Sequence, residues 1–246
     1  MVNFSKAFDK VDLELLLIKL EHIGVTDNLL DWMRSFLTGR KQRVVIDGVS
    51  SNTCEVTSGV PQGSVLGPLL FIIFINDIGD HLSKDTFIRL FADDALIYRC
   101  IRYFSDHQQL QEDINTLMKW VATWKMEFNI SKCYTMHFMT LHQKRTICAI
   151  PYFMGSHQLE RVANTVYLGA TLNEHLSWSP HTQNITAKAH ASLSFLERNL
   201  RCVPQQLRER AYFTIVRPAL EYASAITDPY LKDDISKLDK VQRHAA

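Results

Sequence analysis

Residues 91–98 read FADDALIY, and the fold turns on how two adjacent carboxylates, Asp93 and Asp94, come to lie inside an apolar run. Ile88, Leu90 and Phe91 precede the pair, and Ala95, Leu96, Ile97 and Tyr98 follow it. Such flanks predict two short buried strands, with the acids at or beside the tight turn that joins them. Side by side in a partly desolvated place, the two anions repel each other and each is costly. Two readings offset that cost: a fully wet turn, where Asp is common, or a bound cation.

On the N-terminal side of the pair, SGVPQGSVLGPLLFIIFINDI (58–78) is a loop punctuated by Gly and Pro. It runs into a very apolar helix from about Pro68, a residue suited to a first helical turn, and such a helix packs under a sheet. On the C-terminal side, Leu110, Ile114, Leu117, Val121 and Trp124 step by four, three, four and three, which predicts an amphipathic helix over 105–124. Upstream, 11–23 reads as a helix with Asp12 as N-cap and Gly24 beyond its end, and 26–37 as a second. Arg43–Ile46 and Cys54–Val56 read as strands around a loop opened by Asp47-Gly48, with Arg40, Lys41 and Arg43 a basic cluster at its start. Downstream, strands are expected over 133–139, 147–153 and 166–172. A helix opened by Pro180 follows, and Pro204 and Pro218 divide the remaining chain. The tally is an α/β (α+β) class: a mixed unit over 1–175 and an all-helical one over 176–246.

A chain of 246 residues can bury a sizeable core. A net charge of +1 argues neither for nor against a polyanionic partner. The 5 cysteines are scattered without a CxxC pair, a pattern that suits a reducing compartment. The apolar run LLFIIFI (69–75) is too short to span a bilayer, and the N-terminal MVNFSKAFDKVD lacks the apolar core of a signal peptide. A soluble protein of nucleus or cytoplasm, neither secreted nor membrane-spanning, is expected. Cys133, His137, His142 and Cys148 have a zinc-like spacing, but on two strands and a polar turn they would alternate or point apart instead of converging as a tetrahedron. No zinc site is expected. No Ser-His-Asp set, P-loop or dinucleotide fingerprint occurs elsewhere.

Four ordered stretches then add up. FADDALIY, SGVPQGSVLGPLLF, FSKAFDKVD (4–12) and YLGATLNEHLSW (167–178) together resemble the palm of a reverse transcriptase, of the kind found in non-LTR retrotransposons of the jockey and related groups. RPALEYASAITDPYLKDDISKLDKVQRHAA (217–246) resembles the thumb of the same elements, with Thr227 where a Trp is common. The resemblance implies a palm over 1–175, its antiparallel sheet backed by the 69–78 and 105–124 helices, lacking the fingers, and a truncated helical thumb over 176–246. It implies an RNA-directed DNA polymerase that extends a DNA 3′-end by in-line attack on an α-phosphate, with two Mg²⁺ (or Mn²⁺) ions. The partners it implies are an RNA template, a DNA primer and deoxynucleoside triphosphates, with no membrane and no protein partner.

Position by position, the resemblance makes Asp93 and Asp94 the paired metal-ligating carboxylates. Pro61, Gln62 and Gly63 match the loop against the incoming nucleotide, where glycine permits close backbone approach and the amide both donates and accepts. Phe8 matches the aromatic under the sugar that disfavours a 2′-hydroxyl, Lys132 a basic residue that assists the pyrophosphate, and Leu168 and Gly169 the primer grip. Arg40, Lys41 and Arg43 could contact template or primer phosphate. Each has a plainer reading: a core Phe, a solvated Lys, a strand-to-turn junction, a solvated basic face.

One position departs from the pattern. Where the family carries a third metal-ligating Asp, this chain has Asn3, which can offer a carbonyl oxygen to a cation but no charge. Losing one of three anionic ligands weakens a two-metal site, and a loss of several orders of magnitude in rate is expected, since electrostatics and positioning supply nearly all of phosphoryl-transfer catalysis. Asp9 would lie roughly 20 Å from Asn3 on an extended strand, closer only if a helical turn begins there. The alternative to the polymerase is an inactive palm–thumb remnant with at most weak nucleic-acid binding. No sequence feature points to a recruited protein-interaction module.

Overall fold

The structure, a computed structural model, describes residues 1–139 and 150–245. The chain divides into two compact units, Met1–Thr135 with Ala149–Arg161, and Met136–Cys148 with Val162–Ala246.

In the first unit, β1 (Val2–Asn3) leads through a turn to α1 (Leu13–His22) and α2 (Asp27–Leu37). Asp12 caps α1, its carboxylate accepting the Leu15 N–H at 3.1 Å, and the Lys125 ammonium bonded to it holds its pKa below the usual range. Gly24, at φ 97°, ends the helix in the left-handed conformation that glycine adopts without strain. The strands expected over 43–56 form a longer, thinner arm. Strand β2 (Lys41–Gln42) pairs with β5 (Cys54–Glu55), and β3 (Val45–Ile46) with β4 (Val49–Ser50). Asp47 and Gly48 close it at φ 50° and 82°, the signs of a type I′ turn. Every residue from 41 to 55 is exposed.

Helix α3 (Leu66–Ile75) starts just ahead of Pro68, which lies in its first turn. It buries Leu70, Phe71, Phe74 and Ile75 and leaves Leu69 and Ile72 exposed. Strands β6 (Thr86–Phe91) and β7 (Asp94–Arg99) form the predicted hairpin, and β1 adds to it in the order β1-β7-β6, all antiparallel. The acid-bearing β7 is therefore central and β6 an edge. Helix α4 (Phe104–Thr123) buries Ile114, Leu117, Trp120 and Val121, and one core joins these to Val2 and Ala95 of the sheet, Leu16 and Leu20 of α1 and Phe71 of α3. Each large apolar side chain there contributes about 1.5–3 kcal/mol. The remaining strands of the unit are short. Strand β8 (Tyr134–Thr135) pairs in parallel with β11 (Glu160–Arg161), and β9 (Phe153–Met154) pairs with β10 (His157–Gln158). Of the strand expected over 147–153, residues 147–149 lie outside the described residues, 150–152 are not strand, and Phe153 opens β9.

Among the described residues of this unit, Lys19, Thr86, His107 and Asp113 are buried polar side chains. Lys19 sits on the apolar side of α1, with its ammonium 3.6 Å from the centre of the Trp124 ring and bonded to the Phe74 carbonyl and the Asp77 carboxylate, both at 2.6 Å. Burial lowers its pKa and the Asp77 charge opposes that. Asp113 of α4 accepts the Ser83 N–H at 2.9 Å, the Ser83 hydroxyl at 2.6 Å and the Thr86 hydroxyl at 2.5 Å. Arg99, the ladder partner of Thr86, donates to both hydroxyls. This network ties the open end of the β6–β7 hairpin to α4.

In the second unit, the single strand expected over 166–172 is a hairpin: β12 (Asn164–Tyr167) pairs with β13 (Ala170–Asn173) across the turn Leu168–Gly169. Strand structure thus opens this unit before its helices. Helix α5 (Ser179–Asn199) has Pro180 in its first turn. Helix α6 (Gln205–Ala211) follows Pro204 and runs through a π-helical turn, Tyr212–Val216, into α7 (Arg217–Glu221), and α8 (Lys232–Ala245) closes the unit. Ala189, Leu193 and Leu196 of α5 form its core with Val216 and Val241. Among the described residues no helix is long and apolar enough to cross a membrane.

Removing the Asp113 carboxylate takes the acceptor from three donors, the buried Thr86 hydroxyl and the half-buried Ser83 N–H and hydroxyl, each worth about 1–3 kcal/mol when buried and unsatisfied. Asp113→Ala is expected to destabilise the first unit by about 3 kcal/mol, whereas Glu112→Ala, an exposed neighbour, should change it by less than about 0.5 kcal/mol. Urea unfolding followed by circular dichroism checks this, and equal midpoints for the two variants would contradict the network's role.

Candidate active site

The β1–β7 ladder places Asn3 directly opposite Asp94. The Asn3 amide donates through Nδ2 to Asp94 Oδ1 at 2.8 Å, so its one charge-complementary group is spent on the neighbouring acid. Ala92 and Asp93 form the two-residue turn between β6 and β7, with Ala92 at φ 49°, the sign a II′ turn requires at its first position. The Phe4 N–H approaches the Asp93 carbonyl at 3.4 Å. Both carboxylates are half-buried, at the end of the hairpin opposite the Asp113 network.

The outer edge of β1 is covered by residues 127–129. Phe4 bridges Phe128, the Ser5 N–H donates to the Glu127 carbonyl at 2.8 Å, and the Asn129 N–H donates to the Asn3 carbonyl at 2.7 Å. The chain then makes a 3-10 turn, Ile130–Lys132, so Lys132 is exposed three residues beyond the one bonded to Asn3. Cys133 is buried, its thiol 3.2 Å from the Asn129 carbonyl, and burial pushes its pKa up.

The segment after β1 and the 58–67 loop are laced together. The Val60 N–H donates to the Phe8 carbonyl at 2.9 Å, the Gly59 N–H to the Val11 carbonyl at 2.8 Å, and the Ser58 hydroxyl to the Asp9 carbonyl at 2.8 Å. Gly59, at φ 85°, lies so close that a Cβ there would come within 2.8 Å of Asp9 Cα; no other residue fits. Phe8 is half-buried and stacks on Phe71 of α3 with centroids 4.4 Å apart. Pro61 is held from below, its carbonyl accepting the Ser64 hydroxyl at 2.8 Å, while Gln62 and Gly63 are exposed. Gln62 Nε2 donates to Asp9 Oδ1 at 3.0 Å. A helical turn does begin at this point, with the Asp9 and Lys10 N–H groups both on the Lys6 carbonyl, and the Asp9 carboxylate faces Gln62. Sequence reasoning missed that pairing, and the spacing of FD and PQG carries no signal for it.

The basic cluster divides. Arg40 donates through Nε to the Leu37 carbonyl at 2.7 Å and through Nη2 to the Gly59 carbonyl, and burial lowers its pKa. It ties the end of α2 to the 58–67 loop. Lys41 and Arg43 are exposed on the arm. Leu168 and Gly169 are exposed at the tip of the β12–β13 hairpin in the second unit, where the Tyr222 hydroxyl donates to the Leu168 carbonyl at 2.7 Å.

Asp93 and Asp94 offer hard oxygen ligands at one turn, a set that suits a divalent cation completing its shell with water and substrate phosphate. The third position offers an amide whose N–H already faces Asp94. Among the described residues no three His, Cys, Asp or Glu side chains are gathered to hold a metal. The residues present therefore fit a cation held by the acid pair and shared with substrate, without a third carboxylate. His142 and Cys148 of the zinc-like spacing lie outside the described residues.

A mixed fold carrying an acid pair at the tip of a central hairpin defines the class, and the comparisons agree: the chain belongs to the reverse transcriptase (RNA-dependent DNA polymerase) family, whose model matches residues 2–172. Within that family it is similar to polymerases of non-LTR retrotransposons. It is 28% identical over 256 residues to the RNA-directed DNA polymerase from mobile element jockey of Drosophila melanogaster, an alignment covering 98% of this chain and 27% of the relative. The probable RNA-directed DNA polymerase from transposon BS of the same species is 26% identical, over 99% of this chain and 28% of the relative. A Pol polyprotein from the R2 element of Popillia japonica is 23% identical over 90% of this chain and 37% of its own. The chain spans about a quarter of the length of the jockey and BS relatives.

The Asn3–Asp94 contact has a measurable consequence. Asn3→Asp replaces a hydrogen bond with two carboxylates facing across a ladder, a net cost of about 1 kcal/mol, or about 2–4 °C in a protein of this size. The variant should melt below the natural sequence in EDTA and regain more than that difference in millimolar Mg²⁺ or Mn²⁺, while the natural sequence responds less. Equal metal responses, read by thermal melting, would mean that residue 3 does not face the cation site.

Proposed function

We propose that this chain is the palm and part of the thumb of an RNA-directed DNA polymerase, and that its chemistry is nucleotidyl transfer to a DNA 3′-end at Asp93 and Asp94. The observation that carries the reading is the acid pair at the tip of the β6–β7 hairpin, with Asp94 opposite Asn3 on the neighbouring strand. Asp93 and Asp94 would hold the divalent cation, which when bound supplies positive charge to the triphosphate and lowers the pKa of the attacking 3′-hydroxyl.

The other residues then have roles that follow from their surroundings. Phe8, stacked on Phe71, would present a rigid ring beneath the sugar, where a 2′-hydroxyl has no room. Gln62, with its Nε2 held by Asp9, would turn its carbonyl oxygen toward the nucleotide, and the Gly63 backbone admits the close approach. Lys132 would offset charge on the departing pyrophosphate. Leu168 and Gly169 would support the primer end, and Lys41 and Arg43 would meet template or primer phosphate, with Arg40 holding their arm to the loop. The partners are an RNA template, a DNA primer and deoxynucleoside triphosphates.

Asn3 sets the level of activity. A third carboxylate would add charge where it neutralises the cations of two-metal transfer; the amide adds none and takes up an oxygen of Asp94. We expect Mg²⁺-dependent primer extension on an RNA template to be weak for the natural sequence, raised at least 100-fold by Asn3→Asp and abolished by Asp93→Ala. Extension by the natural sequence equal to that of Asn3→Asp would refute the role given to residue 3. No extension by either, even with Mn²⁺, would favour the inactive palm–thumb remnant.

A further inference from the structure

The Leu168–Gly169 turn is not held by its own geometry. Both residues lie at positive φ, 46° and 80°. Gly169 adopts that conformation freely, whereas a leucine in the left-handed region costs roughly 1–2 kcal/mol. Of the two strands behind the turn, four residues each, β12 is exposed or half-buried throughout and β13 is buried at Ala170 and Thr171. A contact from outside the hairpin helps to hold the strained, exposed tip in one shape.

Tyr222 supplies it. Its hydroxyl donates to the Leu168 carbonyl at 2.7 Å. Its ring lies flush against Gly169, where a Cβ would fall 2.7 Å from Cε1 and 3.1 Å from Cζ and Oη. The tyrosine is 54% exposed, so core packing does not account for it. Its backbone is nonetheless firmly placed. Tyr222 leaves α7 at ψ 132°, and Ala223 at φ 62° turns the chain, with its carbonyl accepting the N–H groups of Ile226 and Thr227 at 2.9 and 3.0 Å. Helix α7 continues the π-helical turn whose Val216 is fully buried in the core of this unit. The line of support runs from that core through α7 to the tyrosine and so to the hairpin tip.

We infer that Tyr222 is a positioning residue: it sets the height and orientation of the Leu168–Gly169 turn, and through it the 3′-terminal nucleotide of a DNA primer. The inference rests on the reading of that turn as the primer support. Tyr222 itself acts on the turn and not on the nucleotide. The ring excludes side chains at 169, and the hydroxyl fixes the peptide plane after Leu168.

The test uses the full chain, in its natural form and with Asn3→Asp, carrying Tyr222→Phe or Tyr222→Ala, and a labelled DNA primer annealed to an RNA template. Tyr222→Phe, which keeps the ring, should raise the KM for the hybrid about 3-fold. Tyr222→Ala should raise it at least 10-fold and lower kcat on a primer with a mismatched 3′-end less than on a matched one. The KM for the nucleoside triphosphate and the thermal midpoint should stay within error in both. A merely structural tyrosine would instead lower the midpoint and depress all parameters together, and that result, or unchanged KM in Tyr222→Ala, overturns the inference while leaving the polymerase reading intact. If neither background extends the primer or binds the hybrid in a salt-dependent way, the polymerase reading fails and this inference falls with it.

Discussion

The hydrogen bond from Asn3 to Asp94 governs the acid end of the first unit, because it is where the shortest strand of the three-stranded sheet meets its central one. Strand β1 has only two residues, yet it stitches the β6–β7 hairpin on one side to residues 127–129 on the other. A central strand that ends in a carboxylate needs some group to face that charge, and the amide does so without a metal. The molecule is thus relieved of a repulsion that a third carboxylate would create and that only cations could relieve. The same substitution lowers the tendency of the site to gather those cations. Stability of the free chain and affinity for metal are set against each other at one side chain.

That contact sits on a hairpin that is fastened at its other end as well. At the far end Asp113, Ser83, Thr86 and Arg99 bind the two strands to α4, while Ala95 is buried beneath them. The laced turn at 6–11 adds a second fixed body. Its backbone groups are bonded to the 58–67 loop, and Gly59 and Gly67 permit an approach that any Cβ would block. Phe8 and Gln62 are placed by these backbone contacts and by one partner each, Phe71 and Asp9. A site on loops is thereby given the precision of one built on regular elements, since few of the loop's own torsions remain free.

Much of this was legible in the sequence because it rests on local chemistry. Asp12, Gly24, Asp47-Gly48, Pro180 and Pro204 mark element ends by their own torsional and hydrogen-bonding preferences, and α1 and α5 begin and end within a few residues of such marks, while α4 followed from the spacing of its apolar residues. The acid turn followed from apolar flanks alone. Less legible was whatever depends on a partner far along the chain. Nothing in LELLLIKLEH marks Lys19 out, yet three aromatic rings and Asp77 gather around it. VYLGATL reads as one strand because Leu168 carries no turn signal, and the turn exists in spite of its residue type. Arg40 reads as one of three equivalent cations, whereas two carbonyls, one of them 19 residues away, set it apart.

The strained leucine and the exposed tyrosine show how a local cost is met from a distant part of the chain. A hairpin meant only to be stable would place Asn-Gly or Gly-Gly at 168–169 and would need no outside support. Here the turn keeps a large side chain in an unfavourable conformation and is stabilised by a ring from a helix some fifty residues later. The arrangement costs free energy locally and gains a fixed carbonyl in return. The acid turn shows the same economy at Ala92, a non-glycine at φ 49° beside two like charges. Ala92 at one tip and Leu168, beside Gly169, at the other each hold a positive φ without being glycine, and each tip is bonded to a residue far away in sequence. Strain of this kind persists only where the surroundings over-determine it, and at the Leu168 turn the Tyr222 ring and hydroxyl are what do so.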